Sequence, residues 1–147
     1  MQKNYFTSVL VMLSFIFSST IFASLSSEPE KCPSTSALIS VGIEAVEKGL
    51  CNGWYGVVFA NQYDTKNAWS MLMVANTPPL CGIPANDEIE ARKKMLSELT
   101  TLQYIGGPDP INNNDVWGCA YMGDHISVYT YTPPLTVSSL MRMVSKV

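Results

Sequence analysis

The sequence predicts an α+β domain with one four-stranded antiparallel sheet and helices on one face of it, in the order α-β-β-α-β-β-α. Three observations lead to this class. Short runs rich in aromatic and β-branched residues occur in pairs around turn-forming residues, apolar residues recur at helical spacing between those pairs, and the tetrapeptide TPPL ends two of the runs. Antiparallel hairpins joined by helices favour such a sheet.

The first 26 residues have the pattern of a secretory signal. Lys3 gives a positive start, residues 9–17 form an uncharged apolar run, and small residues follow, so cleavage is expected after Ala23 or after Ser26. The longer segment from Tyr5 to Leu25 has 21 residues, enough to span a bilayer, which leaves an uncleaved membrane anchor as the alternative. Serine and threonine residues dilute it and favour removal. We therefore expect a protein exported to the periplasm or secreted, with residues 27–147 as its single domain.

The charge balance argues against nucleic acid as a partner. The chain carries 9 basic and 12 acidic residues, a net charge of −3, and removal of the signal takes away a lysine. The longest basic run is RKK at residues 92–94, and phosphate binding needs a more concentrated positive surface. Glu88 and Glu90 each precede a base of this run by four residues, so helical ion pairs explain it.

The first half of the domain predicts a helix and a hairpin. Apolar spacing indicates a helix over residues 35–49, capped by Ser34, Thr35 or Ser36 and stopped at Gly49. The segments WYGVVFANQY and AWSMLMVA follow as strands joined by DTKN. TPPL then ends the second strand, because proline removes a backbone donor and disfavours helix in the residue before it.

The second half repeats this order. Asn86 or Asp87 caps a predicted helix over residues 87–104, and Asp87 with Glu90 has the spacing of a capping box. The apolar stripe of this helix is Ile89, Met95, Leu96, Leu99 and Leu102. GGPDPINNND is predicted as a loop, VWGCAYM and HISVYTYT as a hairpin around GD, and a final helix begins near Val137. A remote duplication of a β-β-Pro-α unit is an alternative source of this pattern.

The four cysteines predict two disulfides, as is usual in exported proteins. A helix over residues 35–49 would be about 22 Å long, which disfavours a bond between Cys32 and Cys51 because bridged Cα atoms lie at most about 7 Å apart. The first hairpin brings Cys51 close to Cys81, which leaves Cys32 for Cys119. The other pairing still open joins Cys32 to Cys81 and Cys51 to Cys119. The spacings lack C-x-x-C, so no metal site is expected.

The last hairpin carries the candidate ligand-binding residues. With Gly123 and Asp124 as the turn, Met122 would face His125, and His125 would share one strand face with Ser127, Tyr129 and Tyr131. This face is either the half-exposed side of an ordinary sheet or an aromatic platform for a flat ligand. Histidine, tyrosine and methionine all serve as axial haem ligands. Spacing prevents two of these side chains from ligating one iron from opposite sides, so a haem site would be open and have a single protein ligand.

The segments CNGWYGVVFA and WGCAYMGDHISVYTYTPP, together with the apolar signal VLVMLSFIF, resemble a group of small secreted proteins from Legionella and related bacteria. The function of these proteins is largely uncharacterised, and some are described as haemin-binding. The resemblance implies a bacterial exported protein with haem as a candidate ligand.

The sequence therefore predicts an exported binding protein that is not an enzyme. Neither G-x-S-x-G nor a cysteine paired with a base is present to supply a nucleophile. The candidate ligand is haem, bound by residues among His125, Tyr129, Tyr131 and Met122. The alternative is a secreted protein-interaction module that acts on a host or envelope partner, with the recognition surface Trp54, Tyr55, Tyr129 and Tyr131.

Overall fold

The structure is a computed structural model that describes residues 27–76, 81–112 and 115–144. The predicted signal, residues 1–26, and the first TPPL, residues 77–80, lie outside these ranges. The described elements are, in chain order, α1 Thr35–Val41, β1 Ala45–Lys48, a 3₁₀ turn at Leu50–Asn52, β2 Trp54–Asn61, β3 Trp69–Ala75, α2 Glu88–Leu99, β4 Gln103–Ile111, β5 Val116–Met122, β6 Ile126–Thr132 and α3 Val137–Val144.

The strands form one antiparallel sheet in the order β1-β2-β3-β6-β5-β4. Two three-stranded meanders meet where β3 pairs with β6, from Ser70↔Tyr131 to Ala75↔Ile126. The α+β class with a single antiparallel sheet is thus confirmed. The prediction of four strands is wrong, because six strands lie in the described ranges and the element order is α-β-β-β-α-β-β-β-α.

Strand β1 replaces the second half of the predicted first helix. Of the three predicted caps Ser34 is the one that forms, with its side chain accepting a hydrogen bond from Ala37 N. Gly42 then adopts φ 71°, a left-handed conformation that ends helices and that glycine adopts without strain. The chain continues into β1, which pairs with β2 at Ala45↔Val57. β-branched residues on both sides of this glycine favour the extended backbone over a longer helix.

Strand β4 replaces most of the predicted GGPDPINNND loop. It lies at the edge of the sheet, where prolines are tolerated because a strand there is paired on one side only. Register shifts between Tyr104 and Gly106 and between Gly106 and Asp109 interrupt its pairing with β5. Gly107 has φ 117°, and a Cβ there would come within 2.6 Å of the Gly118 carbonyl oxygen. The glycines and prolines thus belong to a bulged edge strand.

Helix α2 begins where the sequence predicts and ends five residues earlier than predicted. The Asp87 side chain accepts a hydrogen bond from Glu90 N, and the Glu90 carboxylate accepts one from Asn86 N at 2.9 Å. Both predicted ion pairs form, at 2.7 Å between Lys94 and Glu90 and at 3.9 Å between Arg92 and Glu88. The helix ends at Leu99, where the Thr100 and Thr101 hydroxyls donate to carbonyl groups of its last turn.

Helices cover both faces of the sheet, so the prediction of helices on one face is wrong. On the α2 face, the buried side chains of α2 are Ala91, Met95 and Leu99, and they share a cluster with Met71, Met73, Ile126 and Val128 of the sheet and with Leu38 of α1. On the opposite face, called here the α3 face, Leu140 of α3 shares a cluster with Tyr55, Val57, Leu72, Val74 and Tyr131. Strands buried on both faces explain the nearly continuous apolar character of β3.

The disulfides are those of the preferred pairing. Cys32 is bonded to Cys119 and Cys51 to Cys81, with Cα atoms 6.0 and 5.6 Å apart. The second bond lies beside a close backbone contact between Gly53 and Gly82, where a Cβ on either glycine would come within 2.3 Å of the other segment. Two disulfides fit a protein that folds in an oxidising compartment.

The β5–β6 hairpin is shifted by two residues from the predicted register. Met122 pairs with Ser127 and Tyr121 with Val128, and Gly123 N donates to the Ile126 carbonyl at 2.8 Å. Met122 therefore does not face His125, which lies in the turn and not in a strand. Because the shift is an even number of residues, the predicted face of each strand residue is preserved.

The second TPPL behaves as the sequence predicts. β6 ends at Thr132, Pro133 and Pro134 follow, and α3 begins at Val137. Two hydrogen bonds fix this exit to β3 and the residue before it: Thr132 Oγ1 donates to the Ala68 carbonyl at 2.8 Å, and Leu135 N donates to Ser70 Oγ at 3.0 Å.

Candidate functional site

The predicted tyrosine platform is covered. Tyr131 is only 8% exposed and belongs to the cluster around Leu140 of α3. Tyr129 lies on the same face and is half-buried, and Met122 is exposed near the end of β5. Burial raises the pKa of the Tyr131 hydroxyl to about 12, which disfavours the tyrosinate that would ligate iron. Tyr131 is therefore a core residue.

The four residues proposed as a protein-recognition surface do not form one. Tyr55 and Tyr131 are buried in the α3-face cluster. Trp54 is half-buried, and its indole N–H donates to the Ala85 carbonyl at 3.1 Å. Only Tyr129 keeps partial exposure on the α3 face, so an aromatic surface of the predicted composition is absent from the described residues.

His125 is the most accessible of the predicted ligand residues. Its side chain is 80% exposed, and Nδ1 lies 3.0 Å from Glu98 Oε1 at the end of α2. Since a carboxylate oxygen accepts, Nδ1–H donates, which leaves Nε2 as an acceptor in the neutral imidazole. The other Glu98 oxygen accepts from His125 N at 3.3 Å. Glu98 thus orients the imidazole from α2, away from Tyr129 and Met122 on the α3 face.

Helix α2 also carries a second apolar stripe, which faces outward. Ile89 is 81% exposed and Leu96 is 43% exposed, although the apolar spacing predicts both in the buried stripe. At about 100° per residue, these two residues lie about 110° around the helix from the centre of the buried stripe formed by Ala91, Met95 and Leu99. The sequence contains this signal, because the five apolar residues of α2 span about 160° of its circumference, wider than the stripe of about 100° that a surface helix usually buries.

This outward stripe borders a groove on α2. A cavity of about 320 Å³ is lined by Glu88, Ile89, Arg92, Lys93 and Leu96; we call it the α2 groove. It adjoins α1, since a Cβ at Gly42 would lie 3.3 Å from Leu96 Cδ2. Two further exposed apolar side chains, Ile39 and Val41, belong to α1. Exposed apolar side chains beside a groove are a feature of interaction sites.

Arg92 is held rigidly at this groove. Its guanidinium donates to the carbonyl oxygens of Ile43 at 2.8 Å and Glu44 at 3.3 Å, and it lies 3.9 Å from Glu88 Oε1. Lys93 is exposed beside it. The groove therefore combines two apolar side chains with two positive charges, of which that of Arg92 is fixed by hydrogen bonds and that of Lys93 is carried on an exposed, flexible side chain. A single carboxylate, that of Glu88, lies next to them.

A cavity of about 550 Å³ lies between residues 30–35 and β4. Its charged residues already have partners: Glu30 lies 2.6 Å from Lys66 Nζ, and Lys31 Nζ lies 3.4 Å from Asp64. The Ser34 backbone N–H, which donates to Asp64, holds the pKa of that carboxyl below its usual range. These contacts fix the N-terminal segment to the β2–β3 loop, which gives the cleft walls a structural role.

Within residues 27–76, 81–112 and 115–144, no group of three or more histidine, cysteine, aspartate or glutamate side chains is placed to hold a metal ion. None of the helices in these ranges has the length and apolar character needed to cross a membrane.

The function proposed for this chain rests on the geometry of its described residues. No family model, no curated protein and no solved structure matched this chain.

Proposed function

We propose that this chain is an exported, non-enzymatic binding protein whose ligand is another protein. The two disulfides support folding in an oxidising compartment, periplasmic or extracellular. Removal of the signal after Ala23 or Ser26 would give a mature chain that starts at Ser24 or Ser27. Cell fractionation and the intact mass of the exported protein test this part of the proposal.

One observation carries the choice of a protein ligand: the exposed apolar stripe of α2. Water contact at Ile89 and Leu96 is unfavourable, by roughly 25 cal/mol for each Å² of apolar surface. Covering the stripe with a partner would recover this free energy, and the exposed Ile39 and Val41 of α1 would extend the contact. The core itself is already closed on both faces of the sheet by other side chains.

Site-specific crosslinking tests this function. A photo-crosslinking amino acid replaces Ile89 in one variant and Ile105, which is 58% exposed on the edge strand β4, in a matched control. We expect a discrete crosslinked partner from position 89 only. The partner identified by mass spectrometry is then purified and its affinity measured, with at least a tenfold loss expected for Ile89→Ser and none for Ile105→Ser. Equal crosslinking at both positions, or equal affinity of both serine variants, would contradict the proposal.

Haem is the second candidate ligand, and the contact between His125 and Glu98 favours it. Histidines that ligate metals usually donate their other ring N–H to a carboxylate or carbonyl group, as Nδ1 does here at 3.0 Å. The imidazole fits an axial ligand, but at 80% exposure it lacks walls to enclose a macrocycle. The site would therefore be open and bind weakly, with His125 supplying the only ligand.

Titration with haemin distinguishes this candidate. A saturable Soret shift in the wild type that is lost in His125→Ala and kept in Tyr129→Phe would support a histidine-ligated site. Loss in Tyr129→Phe instead would move the site to the α3 face. No saturable shift, or the same shift in both variants, would remove haem as a ligand of these residues.

A further inference from the structure

The lining of the α2 groove has the spacing of a helix-docking site. Ile89, Arg92, Lys93 and Leu96 occupy positions i, i+3, i+4 and i+7 of α2. In coiled coils, four residues at these positions form the hole that receives one side chain of the facing helix. Ile89 and Leu96, at its two ends, are 81% and 43% exposed, so no described residue fills this hole.

Charge narrows the choice of occupant. The two ends of the hole are apolar, and its middle is formed by two cationic side chains, of which Arg92 is fixed by the carbonyl oxygens of Ile43 and Glu44. Glu88 is 3.9 Å from Arg92 and offsets one of the two charges. An occupant with carboxylates beside its apolar side chain would meet the remaining positive charge at Lys93.

A second copy of this chain is a poor occupant. If two α2 helices packed antiparallel across the groove, Ile89 of each would face Leu96 of the other, which is favourable. The same arrangement would place Arg92 of each copy against Lys93 of the other, and like charges in such positions disfavour pairing.

We propose that the α2 groove binds an acidic amphipathic helix of the partner protein. One large apolar side chain of that helix fills the hole between Ile89 and Leu96, and an Asp or Glu residue beside it faces Lys93, the charge that Glu88 does not offset. This inference rests on the proposed function, because it names the chemistry of the protein partner. It belongs to the helix-in-groove mode of recognition, in which apolar anchors give affinity and flanking charges give specificity.

A helical peptide library tests the inference without knowledge of the natural partner. A displayed 16-residue helix is randomised at one central position and at its four neighbours on the same face, and binders to the mature protein are selected. We expect a leucine, methionine or aromatic residue at the centre and an excess of acidic residues around it. A selection that yields no binders, or binders enriched in lysine and arginine, would overturn the inference. The protein-interaction function would still stand if position 89 crosslinks to a partner.

Three variants assign the binding site. For the best selected peptide, Ile89→Ser and Lys93→Glu should each weaken binding at least tenfold, and Ile105→Ser should leave it unchanged. A peptide with its acidic residues replaced by lysine should bind Lys93→Glu more tightly than the wild type. Peptide affinity that is insensitive to both Ile89→Ser and Lys93→Glu would overturn the site.

Vesicles provide the last comparison, because an apolar stripe with cationic neighbours is also a feature of helices that lie on anionic membranes. In flotation with vesicles of three parts phosphatidylcholine to one part phosphatidylglycerol, we expect no binding. Vesicle binding that is lost in Ile89→Ser would assign the groove to a membrane surface and overturn the inference.

Discussion

Replacement of Leu140 by alanine tests whether α3 closes the second face of the sheet. Of the α3 side chains that the structure describes, Leu140 alone is buried, at 0% exposure, and it contacts the apolar cluster of β2, β3 and β6. Truncation of a buried leucine to alanine costs about 2 to 5 kcal/mol, and the cost falls when the site can collapse. Because a short helix held by one such side chain can settle onto the sheet, we expect a loss of about 2 to 3 kcal/mol.

The measurement is urea unfolding followed by tryptophan fluorescence, with Ile89→Ala as the matched control. Ile89 is largely exposed on the other side of the protein, so its truncation should change the free energy of unfolding by less than about 0.5 kcal/mol. A second readout is the absorbance titration of tyrosine at high pH, in which Tyr131 should titrate nearer its ordinary pKa because the shorter side chain of alanine covers it less. A loss below about 0.5 kcal/mol for Leu140→Ala would refute the packing of α3 on this face.

Three further predictions concern alkaline pH, reduction and backbone contact. Burial raises the pKa of Tyr131 to about 12 from 10.0, so the contribution of this tyrosine to stability is complete below pH 10 and declines between pH 10 and 12, by on the order of 3 kcal/mol. Urea unfolding at pH 9, 10 and 11 should show the decline in the free energy of unfolding, and Tyr131→Phe should make that decline less steep. Limited reduction should open Cys51–Cys81 first, as followed by peptide mapping, because Cys51 is exposed and Cys119 in the other disulfide is buried. Simultaneous opening of both disulfides would contradict this difference in exposure. Gly82→Ala should destabilise the protein by at least about 1 kcal/mol, since the added Cβ would meet backbone atoms at 2.3 Å. Gly106→Ala should cost far less, because the space around Gly106 is open. Equal losses of stability in thermal unfolding of the two variants would contradict the close contact at Gly82.

The elements that the sequence predicts well are those with a strong local signal. β5 has the predicted bounds, β3 differs by one residue, and the cap of α2 forms at Asp87. The disulfide pairing follows from hairpin geometry, because the β2–β3 loop is centred near Thr65 as predicted and brings the flanking cysteines together. Tetrapeptide TPPL ends β6 for the same local reason, the chemistry of proline.

The elements that the sequence does not predict depend on tertiary context. β1 lies in a segment with helical apolar spacing, and its pairing with β2, together with the helix end at Gly42, favours the strand over a longer helix. β4 is rich in turn residues, and its place at the sheet edge makes them acceptable. The same reasoning applies to the candidate sites: α3 docks on the face that would otherwise expose Tyr131, and no local pattern specifies which face a C-terminal helix covers.

The disulfides are nested, with Cys32–Cys119 enclosing Cys51–Cys81. Synthesis proceeds from the N-terminus, so Cys32 and Cys51 emerge before either has its native partner, and an oxidase that joined thiols in order of appearance would link them wrongly. We therefore expect high yields of native protein to require thiol–disulfide exchange by an isomerase, which moves Cys32 to a partner near the far end of the chain.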